Sequence, residues 1–289
     1  MGSFDVPEID YTRYTNRQLA AVPLAVLAVA LAILGGWYLA FGMPVDAGIE
    51  FAGGTELTIE TEADESEIEA AFEEEPSSVQ SVQAEADQYI VQFTSPDSEA
   101  LTDQAEANLG GGDVVQQTSS VSPSFAAQAQ QTALLGLAVA FVGMSIIAFL
   151  LFRTFVPSIA IVASAFSDLV IPLAFMNIVG IELTLGTVAA LLLLIGYSVD
   201  SDILLNNHVL RRTGDFYEST YRAMRTGVTM TVTSMVAMLV MAISGYIFGV
   251  ELLASVGIIL FVGLAADLMN TYMLNLSLLR WYKFKGVAR

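Results

Sequence analysis

The 289-residue sequence contains no cysteine, two lysines and a single histidine. Without thiols there is no disulfide, no thiolate nucleophile and no cysteine metal site. One imidazole, His208, is a weak basis for a metal site, and at a helix end it reads as an interfacial residue. Cations are scarce altogether: eleven Lys and Arg stand against thirty acids, and residues 43–131 hold none. That removes the basic patch a nucleic-acid surface needs, so no nucleic-acid partner is expected. Also missing are a phosphate-cradling glycine loop and a Ser-His-Asp set, since Gly53-Gly54 and residues 110–112 read as turns. No metal, no cofactor and no enzymatic activity on a soluble substrate are expected.

What is present is apolar. Hydrophobic residues make up 55% of the chain, and the mean hydropathy is +0.63. They are bunched into six windows long enough to span a bilayer: 19–42, 132–152, 157–179, 184–209, 228–248 and 252–274. The first window lacks a small-residue cleavage pattern and reads as a helix that stays. Every one of the eleven basic residues falls on one side of a six-span model. The positive-inside rule then places both termini, 1–18 and 281–289, in the cytoplasm of a multi-pass cell-membrane protein. Residues 43–129, a domain with its linker, lie outside. Nineteen acids sit in residues 43–131, a surface that suits high salt, where screening relieves self-repulsion, and points to a halophilic archaeal source.

The outside segment alternates strand and helix signals. Strands are expected at 55–61, 79–84, 88–94 and 114–121, with a tight turn at 85–87. Helices are expected at 64–75, stopped by Pro76, and at 98–109, stopped by glycines. The order βαββαβ is that of a ferredoxin-like split unit, which fixes no activity. Residues 122–129 read as a linker, 130–280 as spans two to six, and 211–226 as an amphipathic helix against the membrane, with Tyr217, Tyr221 and Met224 on one face. Trp37, Tyr38 and Phe41 read as an outer aromatic belt.

Candidate chemistry lies in the spans. Asp168, Asp200, Asp202 and Asp267 are four carboxylates in three apolar helices, where charge is costly and marks ion paths by default. Residues two apart differ by about 200° around a helix, so Asp200 and Asp202 face different neighbours. Asp200 shares a face with Gly196 and Asn207, Asp202 with Ser198 and Asn206, and Asp200 is slightly favoured as the ion carrier, with Asp202 its near equal. Asp267, Asn270 and Thr271 form one polar face. Thr229, Thr233 and Ser234 offer hydroxyls, and Arg225 could reach a carboxylate or anchor at the interface.

Several motifs carry a resemblance. Gly48-Ile49-Glu50-Phe51-Ala52-Gly53-Gly54-Thr55 is similar to a GIDFxGGT-like motif, with Glu for the usual Asp. Ser167-Asp168-Leu169 keeps the acid of a His-Asp-Val motif, and Glu182-Leu183-Thr184 resembles Glu-x-Leu-Thr. Ile195-Gly196-Tyr197-Ser198-Val199 matches IGYSV. The chain thus resembles the SecF side of the SecD/SecF family, in the resistance-nodulation-division superfamily, over almost its whole length. The family's helix-four acid aligns with Ser201, here flanked by Asp200 and Asp202, as archaeal members resemble. Asn206-Asn207-His208 replaces a Phe-Asp-Arg. Arg225 matches an Arg-Thr, and Asp267 has no bacterial counterpart.

The resemblance implies an export accessory. It would partner SecD beside the Sec protein-conducting channel and use an H⁺ or Na⁺ gradient to draw unfolded polypeptide outward. Six spans are also half of a two-repeat transporter, so a second half is expected independently. Asp168, Asp200, Asp202, Arg225, Thr229 and Asp267 form the expected ion path, with movement passed on through helix one. Rival readings are half of a small-molecule or lipid transporter, and a passive translocon scaffold.

Overall fold

The computed structural model describes Val6 and residues 9–82, 87–211 and 215–286. Of the expected hairpin turn at 85–87, only Asp87 is among them. Residues 212–214 and 287–289 also lie outside the described residues.

Six helices are long and apolar enough to cross a membrane. The first, α1 (Asn16–Phe41), begins with a reciprocal cap between Thr15 and Gln18 and ends at Gly42, whose φ of 79° favours glycine. A one-turn helix, α2 (Ile49–Ala52), occupies the middle of the GIDF-like motif. Then follow β1 (Gly54–Glu60), α3 (Glu65–Ala70), β2 (Ser78–Ser81), β3 (Gln88–Phe93), α4 (Ser98–Leu109) and β4 (Val115–Val121). The strands form one sheet in the order β2-β3-β1-β4, and every neighbouring pair is antiparallel. Strand alternation sends Leu57, Ile59, Val91 and Phe93 to one face, where they bury against Ile68, Leu101 and Ala105 of α3 and α4. Fully burying each such side chain contributes on the order of 1.5–3 kcal/mol.

Gly54 shows why this motif needs glycine. Its φ is +116°, and a Cβ there would lie 1.9 Å from the Phe93 carbonyl oxygen. Helix α3 stops well short of residue 75. Three consecutive glutamates at its C-terminal end oppose the helix dipole, and Glu74 Oε1 instead accepts from the Thr94 hydroxyl at 2.7 Å and the Ser95 amide at 3.2 Å.

The remaining spans are α5 (Pro123–Phe152), α6 (Phe155–Val179), α7 (Leu185–Arg211), α8 (Phe216–Ile247) and α9 (Glu251–Met269). Two boundaries differ from the sequence expectation. The linker expected at 122–129 is helical, because Ser122 caps the Phe125 amide and Pro123 is preset for a first turn. The separate amphipathic helix expected within 211–226 is the first part of α8: Asp215 caps it, and no breaker interrupts it before Ile247. Its aromatic face turns inward to the chain's own N-terminal segment, Tyr221 Oη donating to the Val6 carbonyl at 3.4 Å.

After α9 the helix widens into a π-turn, Asn270–Asn275, then continues as α10 (Leu276–Trp281) and a second π-turn, Tyr282–Gly286. The expected tail from 281 is therefore partly helical. Arg280 closes this end of the molecule, donating to the carbonyls of Tyr11 at 2.9 Å and Tyr14 at 2.7 Å. Helices α6 and α7 are the most buried of the spans. They form the centre on which the others pack.

Candidate functional site

Three carboxylates meet between α6, α7 and the α9 rod. Asp168, Asp202 and Asp267 are each at most 1% exposed. Asp168 is placed by α6; its Oδ2 accepts from the Ser198 hydroxyl of α7 at 2.6 Å and its Oδ1 from the Asn270 amide at 2.6 Å. Asp202 Oδ1 accepts from the Thr271 hydroxyl at 2.9 Å and the Asn275 amide at 2.7 Å. Asp267 Oδ1 and Oδ2 lie 2.8 and 2.9 Å from the Ser201 hydroxyl, and Thr271 Oγ1 is 3.2 Å from Oδ1. Asn270, Thr271 and Asn275, the donors from the last span, all belong to the π-turn. Thr271 and Asn275, four residues apart within it, reach one oxygen. A π-turn inside a span is uncommon and tends to sit at functional sites.

No cation among the described residues neutralises the group. Among the described residues the ion pairs are Arg13–Asp10 and Arg222–Glu218, both far from it in exposed positions. Nor do three acids or histidines among them lie as a metal site needs; Asp202 and Asp267 are joined through the Thr271 hydroxyl instead. Asp202 Oδ2 is buried without a hydrogen-bond partner, as are Ser164 Oγ, Asn206 Oδ1 and Asn270 Oδ1. A buried carboxylate oxygen with no donor is costly when charged. It is also free to bind a proton without breaking an existing bond.

The other expected ion-path residues are not in this cluster. Asp200 is exposed and lines a cavity of about 340 Å³ between α7 and α8, with Asn207, Ser201 and Ser234. The rotation between positions 200 and 202 sends one carboxylate inward and the other outward, and the inward one is Asp202. Arg225 is exposed, and among the described residues no ion pair joins it to a carboxylate. The Thr229 hydroxyl is spent on the Arg225 carbonyl at 2.7 Å, one turn back. His208 is buried with Nδ1 2.9 Å from the Leu204 carbonyl. Gly196 and Tyr197 share the outward face of Asp200, whereas Ser198 turns inward to Asp168.

Sequence reasoning passed over Asn275, Ser164 and the role of Ser201. The signal for Asn275 was available, four residues beyond Thr271 on an otherwise apolar run. Ser201 stood out only by its alignment with the family's helix-four acid; its bond to Asp267, sixty-six residues away, left no local signal.

A second locus joins the sheet unit to the spans. The GIDF-like and Glu-Leu-Thr motifs meet here: the Gly48 amide donates to the Leu183 carbonyl at 3.0 Å, and the Leu183 amide to the Asp46 carbonyl at 2.7 Å. A Cβ on Gly48 would press on Glu182 Oε2 at 3.0 Å. Glu50 accepts from the Leu185 amide, placing a negative charge on the α7 N-terminus. Phe51 is 1% exposed and packs with Ala129 and Val188, fixing α2 between α5 and α7. Gly53, with φ of 77°, lets the chain turn beside Pro123, and Thr55, fully buried, opens β1. Trp37 Nε1 donates to Asp46 at 2.7 Å, so part of the expected aromatic belt is tied to the motif.

Above this junction Gln92 Nε2 donates to Glu182 at 2.9 Å and Glu56 at 3.2 Å, while Gln80 donates to Glu182 at 3.2 Å. Burial, then the charges of Glu56 and Asp46, raise the Glu182 carboxyl above its ordinary range, against the opposing pull of Gln92 and Gln80. Burial raises Glu56 likewise, with Glu251 and Glu50 adding to it and Gln92 opposing. The folded state thus binds protons here more readily than the unfolded chain. The cost of ionising both acids is absent below the ordinary Glu value of 4.5, and is fully present once pH exceeds the raised values. Thermal stability should therefore fall as pH rises from the ordinary Glu value of 4.5 through the raised values, and Glu182→Gln should flatten part of that fall. Melting curves of both proteins across that range in constant salt check it.

Comparison with known proteins agrees with this architecture. Residues 103–285 match the family model described as protein export membrane protein SecD/SecF, C-terminal. The chain is 63% identical over 289 residues to "Protein-export membrane protein SecF" of Haloferax volcanii, covering all of both chains. It is 62% identical, over the whole of both, to the protein of that name from Haloquadratum walsbyi. A crystal structure of SecDF, a translocon-associated membrane protein from Thermus thermophilus, superposes with a TM-score of 0.75 at 19% identity, covering 96% of this chain. This chain spans 39% of that one, so the likeness concerns the fold of that part.

Proposed function

This chain belongs to the SecD/SecF family of protein-export membrane proteins, on its SecF side and in its halophilic archaeal form, and from that premise we propose how it works. It is an accessory subunit of Sec protein export, embedded in the membrane by its six spans. It pairs with SecD beside the protein-conducting channel and converts an H⁺ or Na⁺ gradient into movement of unfolded polypeptide. It needs no cofactor and is not an enzyme. Both termini face the cytoplasm, as the basic residues require, and residues 43–129 face outward as a ferredoxin-like unit. The strand order β2-β3-β1-β4 and the βαββαβ succession support that assignment.

The observation that carries the reading is the uncompensated carboxylate cluster. Three buried acids with no cation paired to them among the described residues cannot all be charged in a low-dielectric span. A group of that kind is built to take up a positive ion and give it back. Its hydroxyl linkages fit a proton in particular. Helix α7 carries Asp202 at one level and receives Glu50 of the outer unit at its N-terminus, so a shift of α7 reaches that unit directly. The exposed face of α7 bearing Asp200 and Gly196 is assigned to SecD, since charge at the lipid boundary calls for a partner.

Vesicles holding this chain, SecD and the channel test the proposal. Export should accelerate when an ion gradient is imposed. A passive scaffold would export at one rate with or without it, and half of a small-molecule transporter would leave polypeptide export unchanged.

A further inference from the structure

Thr271 carries one hydroxyl proton but stands between two carboxylates, 2.9 Å from Asp202 Oδ1 and 3.2 Å from Asp267 Oδ1. A hydroxyl donates to one acceptor only, so the second contact is favourable only when that carboxyl group itself donates. The same arithmetic holds at Ser201, whose one proton faces both oxygens of Asp267 and the Ser198 carbonyl, with Thr271 Oγ1 a further 3.3 Å away. The geometry is satisfied when the Asp202–Asp267 pair shares a proton. Ser201 also lines the cavity of about 340 Å³ between α7 and α8, the side from which the cluster is approached.

We propose that the Thr271 hydroxyl is a proton relay between Asp267 and Asp202, with Ser201 as its opening toward the α7–α8 cavity. The inference rests on the ion-coupling reading above and adds the route. In the step, neutral Asp267 gives its proton to Thr271 Oγ1 as Thr271 gives its own to Asp202 Oδ1. One O–H bond breaks and one forms at the threonine, Asp267 is left ionised, and Asp202 becomes neutral. Rotation about the Asp202 Cβ–Cγ bond, a soft two-fold torsion, then moves the proton to the Oδ2 position, which accepts no hydrogen bond. The reverse sequence returns it.

The surrounding groups leave this path open. Asp168 faces the pair from α6 but has both oxygens occupied, by Ser198 and Asn270. Ser164 of α6 lies beside Asp168 and Asp202, and Tyr272 turns its hydroxyl away to the Ala223 carbonyl of α8. Asp200 opens into the cavity and not into the cluster.

The test compares Thr271→Val, which keeps the shape and removes the hydroxyl, with Thr271→Ser, which keeps the hydroxyl. Export is measured in membrane vesicles as the ratio of rates with and without an imposed proton gradient, each variant corrected for its abundance in the membrane. Thr271→Ser should hold within about 2-fold of the wild-type ratio, and Thr271→Val should lose at least about 10-fold of the stimulation, a barrier of about 1.4 kcal/mol. Thr271→Ala takes the place of Thr271→Val if the latter does not reach the membrane. Wild-type stimulation without the hydroxyl, or equal loss in Thr271→Ser, overturns the relay. If Asp202→Asn lost stimulation while Thr271→Val kept it, the ion-coupling reading would stand and the relay alone would fall.

Discussion

Asp202→Asn should abolish the acceleration of export by an ion gradient while the protein still accumulates in the membrane. The side chain keeps its shape, and Oδ1 keeps its bonds from Thr271 and Asn275. The new amide group falls where Oδ2 has no partner, with the Ser164 hydroxyl of α6, which also lacks one, beside Asp202. Folding therefore has little to lose, whereas a group that binds an ion reversibly is gone. Removing a group used in every cycle is expected to cost at least about 10-fold in the stimulated rate, about 1.4 kcal/mol. Asp267→Asn should be nearly as severe, although no motif marks it, because it shares Thr271 and Ser201 with the cluster. Asp200→Asn should do less, since that carboxylate is exposed in the α7–α8 cavity. The assay is gradient-stimulated export with the three variants side by side.

The second large effect is structural. A Cβ on Gly257 would lie 2.6 Å from the Ala242 backbone nitrogen, and one on Gly245 2.4 Å from the Ala254 nitrogen. These glycines let the backbones of α8 and α9 touch, as small residues do where spans pack without a hydrophobic drive. Backbone cannot yield as a side-chain tip can. Gly257→Val should destabilise the α8–α9 pair by about 3 kcal/mol or more and remove most folded protein from the membrane. Gly136→Val in α5, where a Cβ meets nothing within 4 Å, should accumulate normally. Unfolding temperature and membrane abundance of the two variants decide it.

How much of this was legible in the sequence depends on the distance over which each signal acts. The sidedness of eleven basic residues and six apolar runs is local information, and the six spans follow from it. Helix α4 appears where its pattern puts it, Ser98–Leu109 between Asp97 and Gly110. The opposition of Asp200 and Asp202 is a matter of helical rotation, so it too was visible. Which of them turns inward was not, because Ser164, Asn275 and Thr271 decide it from other helices. The slight preference for Asp200 over Asp202 rested on α7 alone, and the contacts of Asp202 come from those other helices. The π-turn at Asn270–Asn275 leaves no trace in an apolar period, yet it positions three of the cluster's donors. Gly245 and Gly257 likewise looked like any glycine in a span until their neighbours were in view.

The most direct measurement follows the ion itself. Sealed vesicles holding this chain with SecD and the channel, loaded with indicators for H⁺ and Na⁺, would report ion entry while a labelled polypeptide is exported. The account predicts ion entry in step with each exported chain in the wild type, and none coupled to export in Asp202→Asn. Equal ion entry in that variant, or gradient-stimulated export with no ion entering at all, would contradict it.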